Sequence, residues 1–298
     1  MNIYGHGKIL LTAEYLVLHG AKALALPTKK GQSFTYTPNP GSQILNWKSY
    51  DHTGHCWFEA KFDSRSLTLI KSSDNETATR LEQLLRAVAR QAQNGWNREG
   101  QVETRLEFDR QWGLGSSSTL VYFLGQWAEV NPYAILEETF EGSGYDIACA
   151  AGDGPLYYRR KGDSPSIEKA IFVPPFSRQL LFVYLNQKRN SRTAIKPLLN
   201  KKPTNTLIEQ ADALTQEMAK ANTLEDFQRC MQEHEQMIQA YINQPTVHAS
   251  FFSDFPGSIK SLGAWGGDFV LAASASPAEN YFKTRGYTTY FAYHDFIL

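Results

Sequence analysis

The alternation of apolar and polar residues divides the chain into strand-like and helix-like segments. Residues 102–108 alternate strictly, which predicts a strand with one buried face. Other strands are predicted at 3–11, 33–37, 55–62, 156–160, 179–185, 268–273 and 288–293. Apolar residues at helical spacing predict helices at 75–94, 117–130, 204–221 and 224–241. Strands followed by mixed helices and strands indicate an α+β protein.

Local signals predict where helices and domains begin. Ser73 and Glu76 have the spacing of a capping box, which predicts the start of the first helix, and Thr223 with Asp226 predicts the start of the last. The length of 298 residues suits one large domain or two smaller ones. A charged, turn-prone stretch at Arg159–Glu168 predicts a boundary between domains at 1–165 and 166–298.

Charge and cysteine content exclude several classes of protein. Lys plus Arg and Asp plus Glu number 30 each, so the balance lacks the basic excess typical of nucleic-acid binding. The three cysteines are far apart and form no CxxC pair, which argues for reduced thiols rather than disulfides or zinc. No apolar run approaches the roughly 18 residues that span a bilayer. We therefore expect a cytoplasmic protein without nucleic-acid or membrane partners.

The segment Gly113–Thr119, with the sequence GLGSSST, carries the first chemical signal. Glycines let the backbone approach a ligand closely, and the apolar run that follows predicts a helix whose first amides lack intrahelical acceptors. Such an end attracts phosphate, and serine hydroxyls can add hydrogen bonds or bind magnesium. An ordinary Gly-Ser turn is the alternative. The spacing fits neither GxxxxGK[ST] nor GxGxxG.

Three segments, in this order along the chain, resemble the motifs of the GHMP kinases. They are Gly7–Gly20 (GKILLTAEYLVLHG), Gly113–Ser118 (GLGSSS) and Gly263–Gly267 (GAWGG). This superfamily includes galactokinase, homoserine kinase, mevalonate kinase and phosphomevalonate kinase. A fourth segment, Gly142–Ala148 (GSGYDIA), resembles GSGFDVA of phosphomevalonate kinases and, more loosely, the matching segment of mevalonate kinases.

The resemblance implies a two-domain GHMP kinase fold. Its N-terminal domain is like domain 2 of ribosomal protein S5, and its C-terminal domain is ferredoxin-like, with ATP and substrate between them. The chain departs from the family pattern at His6 (usually proline), at Ala13 and Trp265 (usually glycine), and in the lead-in Asp109–Trp112, which lacks proline. These departures bear on the substrate more than on the reaction.

By the same resemblance, the activity is transfer of phosphate from ATP, with Mg²⁺, to a small molecule. Asp146 is expected to act as general base or to orient the acceptor, although a helix-capping aspartate is the alternative. Lys8 is expected to pair with Asp146 and a phosphate. A lysine is costly to bury without an anionic partner, and an exposed strand-end lysine is the alternative reading.

The resemblance also implies binding residues. For magnesium the candidates are Ser117, with Ser116 close behind, and Glu138, whose alternative is a solvated helix face. The residues expected at the nucleotide are Gly113, Leu114, Gly115, Ser116, Ser117 and Ser118. Those expected at the substrate are Glu14, Tyr15, Gly144, Lys188, Ser191, Gly263, Ala264 and Gly266. Lys188 suits an anionic substrate, and a solvated basic loop is the alternative.

The best guess for the acceptor is mevalonate or phosphomevalonate, bound by a monomer or homodimer. One alternative is a nucleotide- or metabolite-binding homologue without activity, in which Trp265 fills part of the cleft. Another is an enzyme like diphosphomevalonate decarboxylase. Those relatives lack the early lysine, so Lys8 argues against that alternative.

Overall fold

The protein consists of two compact units that interleave along the chain. A computed structural model describes residues 1–92, 96, 98–140, 142–187, 201–263, 265 and 267–298. The first unit contains residues 1–7, 30–110 and 114–151, and the second contains 8–29, 111–113 and 152–298. Both combine helices with sheet, which confirms the predicted α+β class.

The first unit is a sheet with four helices. Strands β1 (Asn2–Leu10) and β2 (Ala23–Pro38) contribute to both units. The other strands here are β3 (Ile44–Tyr50), β4 (Cys56–Asp63), β5 (Leu69–Ser72) and β6 (Gly100–Leu106). They lie in the order β5-β4-β3-β6-β2; β3 and β6 are parallel, and the other neighbours are antiparallel. The helices are α1 (Asn75–Gln91), α2 (Ser116–Ala128), α3 (Pro132–Thr139) and α4 (Tyr145–Ala151).

Helix α1 begins at the predicted residue, Asn75, but the predicted capping residue was wrong by one position. Asp74, not Ser73, caps the helix, because its side chain accepts a hydrogen bond from the Glu76 amide at 3.1 Å. Ser73 instead pairs with Glu59 of β4: its amide donates to the Glu59 carbonyl, and its hydroxyl accepts from the Glu59 amide. The serine is held by a strand that lies apart from it in sequence.

Stacked aromatic rings fix α2 against the sheet. Phe34 of β2 stacks on Phe123 of α2 with ring centroids 4.5 Å apart. Phe123 also contacts Trp127 at 5.3 Å and Trp47 of β3 at 6.3 Å. These side chains are buried in the core of the first unit. The helix that follows the Gly-Ser loop is therefore packed against the sheet through buried aromatic side chains.

The second unit contains a ferredoxin-like sheet. Two strands, β7 (Leu156–Arg159) and β8 (Ser166–Lys169), extend the start of β2 in antiparallel pairing. The later elements are β9 (Leu180–Tyr184), α5 (Asn205–Lys220), α6 (Leu224–Ile242), α7 (Val247–Phe251), β10 (Ser258–Leu262), β11 (Phe269–Ala273), α8 (Glu279–Lys283), β12 (Tyr290–Ala292) and α9 (Tyr293–Phe296). The sheet order β10-β11-β9-β12, antiparallel throughout, is that of the predicted ferredoxin-like domain.

The division into units differs from the predicted boundary after residue 165, because residues 8–29 pack with the C-terminal half. The Thr215 hydroxyl donates to the Thr12 hydroxyl at 2.8 Å, and the Lys22 amide donates to Asp212 at 2.6 Å. These partners are about 200 positions apart, beyond the reach of any local pattern.

Among the helices of the described residues, none has the length and apolarity needed to cross a bilayer.

We predict that Phe123→Ala lowers the free energy of unfolding by about 3–5 kcal/mol, because it leaves a cavity in the stacked core. Phe123 is 0% exposed, whereas Phe251 on α7 is 54% exposed and supplies a matched control. Phe251→Ala should change stability by about 0.5 kcal/mol or less. Urea unfolding followed by tryptophan fluorescence measures both; equal losses in the two variants would contradict the packing described.

Candidate functional site

The Gly-Ser loop ends in an exposed helix start suited to an anion. Gly115 precedes α2 in the left-handed conformation, with φ +88°, which explains a glycine there. Its carbonyl accepts hydrogen bonds from the Ser118 and Thr119 amides at 2.9 and 3.0 Å. The Ser116 and Ser117 amides, at the first positions of α2, have no acceptor inside the helix. No acidic residue occupies that first turn, so the helix dipole favours a negative ligand.

Contacts within the first unit hold this helix start in place. A Cβ on Gly5 of β1 would lie 3.3 Å from the Thr119 Cβ and Cγ2, so only a glycine gives this close approach without displacement. The Thr119 hydroxyl donates to the Gln32 Oε1 of β2 at 2.6 Å. Backbone and side-chain contacts thus tie the first turn of α2 to two strands.

Asp146 lies in the first turn of α4 and is bonded to α2. Gly144, with φ +85°, precedes α4, and its carbonyl accepts from the Ile147 and Ala148 amides. The Ser118 hydroxyl donates to the Asp146 Oδ2 at 2.6 Å. The carboxylate of this partly exposed residue is therefore held next to the amide-rich start of α2. The hydrogen bond comes from a different helix, so the side chain is more than a cap of its own helix.

Tyr133 on α3 lies within the electrostatic influence of this carboxylate, and sequence reasoning missed it. Burial raises the pKa of the Tyr133 hydroxyl, and the negative charge of Asp146 raises it further. The phenol is therefore protonated at neutral pH. The Tyr133 amide donates to the Asn131 side chain at 3.0 Å, which starts α3. No sequence signal distinguishes this tyrosine from the other tyrosines of the chain.

The predicted metal ligands have different environments. Ser117 is exposed at the second position of α2. Glu138 accepts from Arg90 at one carboxylate oxygen and from Gln91 at 3.0 Å at the other. These bonds, that from Arg90 first, lower the pKa of Glu138. The hydroxyls of Ser116 and Ser117 are hard oxygen donors, the type that magnesium prefers. The metal roles of Ser117 and Glu138 stay predictions.

A buried ion cluster, defined as Glu14, His234, Glu235 and Lys260, forms the interior of the second unit. Each side chain is at most 4% exposed. The Lys260 Nζ lies 2.6 Å from the Glu14 Oε1 and 3.4 Å from the Glu235 Oε1. The His234 Nε2 lies 3.3 Å from the Glu14 Oε2. One ammonium thus serves two buried carboxylates, an arrangement that is costly unless the carboxylates are partly protonated or hydrogen-bonded.

The protonation of the cluster follows from its contacts. The Ala13 amide donates to the His234 Nε2 at 2.8 Å, so this nitrogen carries no proton. Burial, then the charge of Lys260, lowers the pKa of His234 far below its ordinary value, so the ring is neutral. Ala13 has φ +62°, uncommon for a residue other than glycine, and this hydrogen bond helps hold the unusual conformation.

Burial raises the pKa of both carboxyls. For Glu235 it rises to about 7, with Lys260 opposing the shift and Glu14 adding to it. The Ser261 amide and hydroxyl donate to Glu235 at 3.1 and 3.0 Å, which favours the ionised form. For Glu14, burial also raises the pKa, and Lys260 opposes it. Sequence reasoning named Glu14 but missed Lys260 and Glu235.

Tyr15 and Trp265 join the first and third motifs inside the second unit. The Trp265 amide donates to the Tyr15 hydroxyl at 2.8 Å, and the Trp265 indole donates to the Pro245 carbonyl at 2.8 Å. Trp265 is 4% exposed. The described contacts of Glu14 and Tyr15 are internal, and their predicted role at the substrate stays a prediction.

The remaining predicted residues divide into described and undescribed positions. Gly263 has φ +76°, and Leu114 is buried. Lys8 lies on β1 in the second unit and Asp146 in the first, so the pairing of Lys8 with Asp146 stays a prediction. Lys188, Ser191, Ala264 and Gly266 lie outside the described residues.

Comparison with solved structures identifies the fold. No family model and no curated protein matches the sequence. The structure is similar to the mevalonate kinase of Methanococcus jannaschii, at 15% identity, with 98% of this chain and 96% of that one covered and a TM-score of 0.70. The chain has the fold of the GHMP kinases.

Two further structures with this fold show its range. Streptococcus pneumoniae phosphomevalonate kinase, in complex with phosphomevalonate and AMPPNP, is 14% identical, with coverage of 98% and 99% and a TM-score of 0.72. Lactococcus lactis galactokinase, complexed with galactose, is 12% identical, with coverage of 97% and 92% and a TM-score of 0.63. The GHMP kinase fold agrees with the resemblance of the sequence motifs.

We predict that Glu235→Gln changes how stability depends on pH. Because the pKa is raised, folded wild type keeps the proton on Glu235 at pH values from the ordinary pKa of 4.5 up to about 7. The unfolded chain loses this proton over the same pH range. Wild type should therefore lose stability relative to Glu235→Gln as pH rises through that window, by on the order of 1–3 kcal/mol in total. Urea unfolding at pH 5, 6, 7 and 8 measures the difference.

Glu233 supplies the matched control, since it lies on the same helix but is exposed and paired with Arg229. Glu233→Gln shows how much of the effect comes from removing a carboxylate of this helix that is exposed to solvent. A difference between wild type and Glu235→Gln that is the same at pH 5 and pH 8 would show that Glu235 has no raised pKa.

Proposed function

We propose that this protein is a magnesium-dependent kinase that transfers the γ-phosphoryl group of ATP to a hydroxyl or phosphate of a small metabolite. The observation that carries the proposal is the hydrogen bond from Ser118 to Asp146 beside the amide-rich start of α2. Through this bond, the helix start that we propose to bind phosphate lies next to a carboxylate. The GHMP kinase fold supports the same reaction class.

The start of α2 is proposed to bind the phosphates. The Ser116 and Ser117 amides donate to phosphate oxygens, and the helix dipole stabilises their charge. Bound magnesium would shield the phosphate charge during transfer, with Ser117 as its proposed ligand. Glu138 is a second proposed ligand, but it would have to leave Arg90 and Gln91. Lys8 is proposed to neutralise a phosphate oxygen.

Asp146 is proposed to orient the acceptor. Ser118 holds Oδ2, so Oδ1 can accept a hydrogen bond from the acceptor hydroxyl. The acceptor oxygen forms a bond to the γ-phosphorus, the bond from that phosphorus to the bridging oxygen of ADP breaks, and the hydroxyl proton passes to Asp146. An acceptor that is already a phosphate needs no such proton transfer. In that case Lys8 and the amides supply most of the stabilisation.

Mevalonate or phosphomevalonate is the proposed acceptor. The GSGYDIA segment, which contains Asp146, resembles that of phosphomevalonate kinases. Structures of a mevalonate kinase and a phosphomevalonate kinase are among those similar to this chain. The acceptor itself has to be found by assay, because structures at this low identity support the fold and not a substrate.

We predict that Asp146→Asn lowers kcat by about 10²–10⁴-fold while ATP affinity is kept, because the amide preserves shape but cannot take a proton. ADP release is measured with mevalonate, phosphomevalonate, homoserine and galactose, and ATP binding by calorimetry. Tight ATP binding without turnover on any acceptor would instead support an inactive binding protein. Unchanged turnover in Asp146→Asn would remove this residue from the reaction.

Adjacent serines supply a matched pair of variants. Ser117→Ala should weaken the use of magnesium-ATP by about 10²-fold, since a preorganised ligand is lost. Ser118→Ala should lower kcat by roughly 10-fold with little change in KM for ATP, because it removes one hydrogen bond to a charged group. Steady-state kinetics at varied magnesium concentration distinguishes them. The reverse pattern would exchange the proposed roles of the two serines.

A further inference from the structure

The residues that lead into the Gly-Ser loop are anchored on the sheet of the second unit. The Trp112 ring contacts Tyr184 of β9, Phe269 of β11 and Phe291 of β12, with centroids 6.4, 6.1 and 5.2 Å apart. The Tyr184 hydroxyl donates to the Gln111 carbonyl at 3.3 Å. The lead-in that lacks the family's proline is thus held by an aromatic cluster.

A carboxylate lies directly against the first glycine of the loop. A Cβ on Gly113 would be 2.3 Å from the Asp268 Oδ2, 2.4 Å from its Cγ and 2.9 Å from its Oδ1. All three distances are below any that real Cβ atoms show, so no side chain fits at position 113 while Asp268 stays in place. Gly113 has φ +65°, a conformation that also favours glycine.

Asp268 is itself held firmly, immediately before β11. Its amide donates to the Gln187 carbonyl at 3.1 Å, and its carbonyl accepts from the Leu185 amide at 2.8 Å. It is 8% exposed and has φ +46°, which is uncommon for a residue other than glycine. Its Oδ2 also lies 3.5 Å from the Cβ position of Gly263. Backbone strain maintained by surrounding contacts is typical of functional positions.

We propose that Asp268 is a positioning residue for the phosphate loop. Its carboxylate fills the space beside Gly113 and so holds this residue in the conformation from which the chain continues through Leu114 and Gly115. The inference rests on the proposed function, because it assumes that this loop binds the phosphates of ATP. A carboxylate beside a triphosphate repels it by charge. The contribution of Asp268 must therefore come from its shape and contacts.

Substitutions at Asp268 separate shape from charge. Asp268→Asn keeps the shape and should retain affinity for AMPPNP within about threefold of wild type, whereas Asp268→Ala should lose about tenfold or more. KM for ATP should rise in Asp268→Ala more than KM for the acceptor. Asp254→Ala is the matched control, because Asp254 is an exposed aspartate of the same unit paired with Arg285. That variant should bind AMPPNP like wild type.

Complementation tests the contact itself. Gly113→Ala should weaken AMPPNP binding, and combining it with Asp268→Ala should restore part of the affinity, because the new methyl group enters the vacated space. The melting temperatures should show the same non-additivity. Calorimetry with AMPPNP and thermal unfolding measure the two effects.

The outcomes distinguish this inference from the proposed function. Wild type that does not bind AMPPNP would overturn the kinase function and the positioning role together. Wild type that binds AMPPNP, with equal affinity in Asp268→Ala, would overturn the positioning role alone. Additive effects of Gly113→Ala and Asp268→Ala would also overturn it. Loss of affinity in Asp268→Asn as large as that in Asp268→Ala would overturn it as well, because the amide keeps the shape of the side chain.

Discussion

The hydrogen bond from Ser118 to Asp146 joins the first turn of α2 to the first turn of α4, and the candidate site depends on it. Helix starts attract anions, so a carboxylate at such a place competes with any phosphate unless it is held to one side. Ser118 holds it, while Gly115 turns the chain into the helix and the stacked Phe123 keeps α2 on the sheet. The proposed phosphate-binding surface and the proposed proton acceptor can then coexist on neighbouring helices of one unit.

Residues of the first sequence motif contact residues in and beside the third motif inside the second unit. Lys260, just ahead of the third motif, forms ion pairs with both Glu235 and Glu14, which belongs to the first motif. The Tyr15 hydroxyl accepts a hydrogen bond from the Trp265 amide. Ala13 and Trp265, which stand where the GHMP kinase motifs have glycine, both find hydrogen-bond partners here. The Ala13 amide donates to the neutral His234 ring, and the buried Trp265 indole donates to the Pro245 carbonyl. Buried charges of this kind are expensive, and the Glu14 Oε2 and the His234 Nδ1 are buried without a hydrogen-bond partner among the described residues.

The division between the units passes through the Gly-Ser loop. Gly113 belongs to the second unit, where it meets Asp268, whereas Leu114 and α2 belong to the first. Within the second unit, Asp268 and the aromatic cluster contact the residues up to Gly113. Within the first unit, the packing of α2 holds the residues that follow Gly115.

The sequence by itself determined the α+β class, the long amphipathic helices, the loop glycines and the resemblance to GHMP kinases, because these depend on local periodicity and backbone conformation. It did not predict β10, since Ser258, Lys260 and Ser261 interrupt its apolar pattern although all five residues are buried. Nor did it show that Asp74 caps α1, that Arg90 holds Glu138, or that Ser118 bonds Asp146. Only the tertiary structure decided the pairing of distant side chains, because their energy comes from residues far apart along the chain: 28 positions for Ser118 and Asp146, 48 for Arg90 and Glu138, and 246 for Glu14 and Lys260.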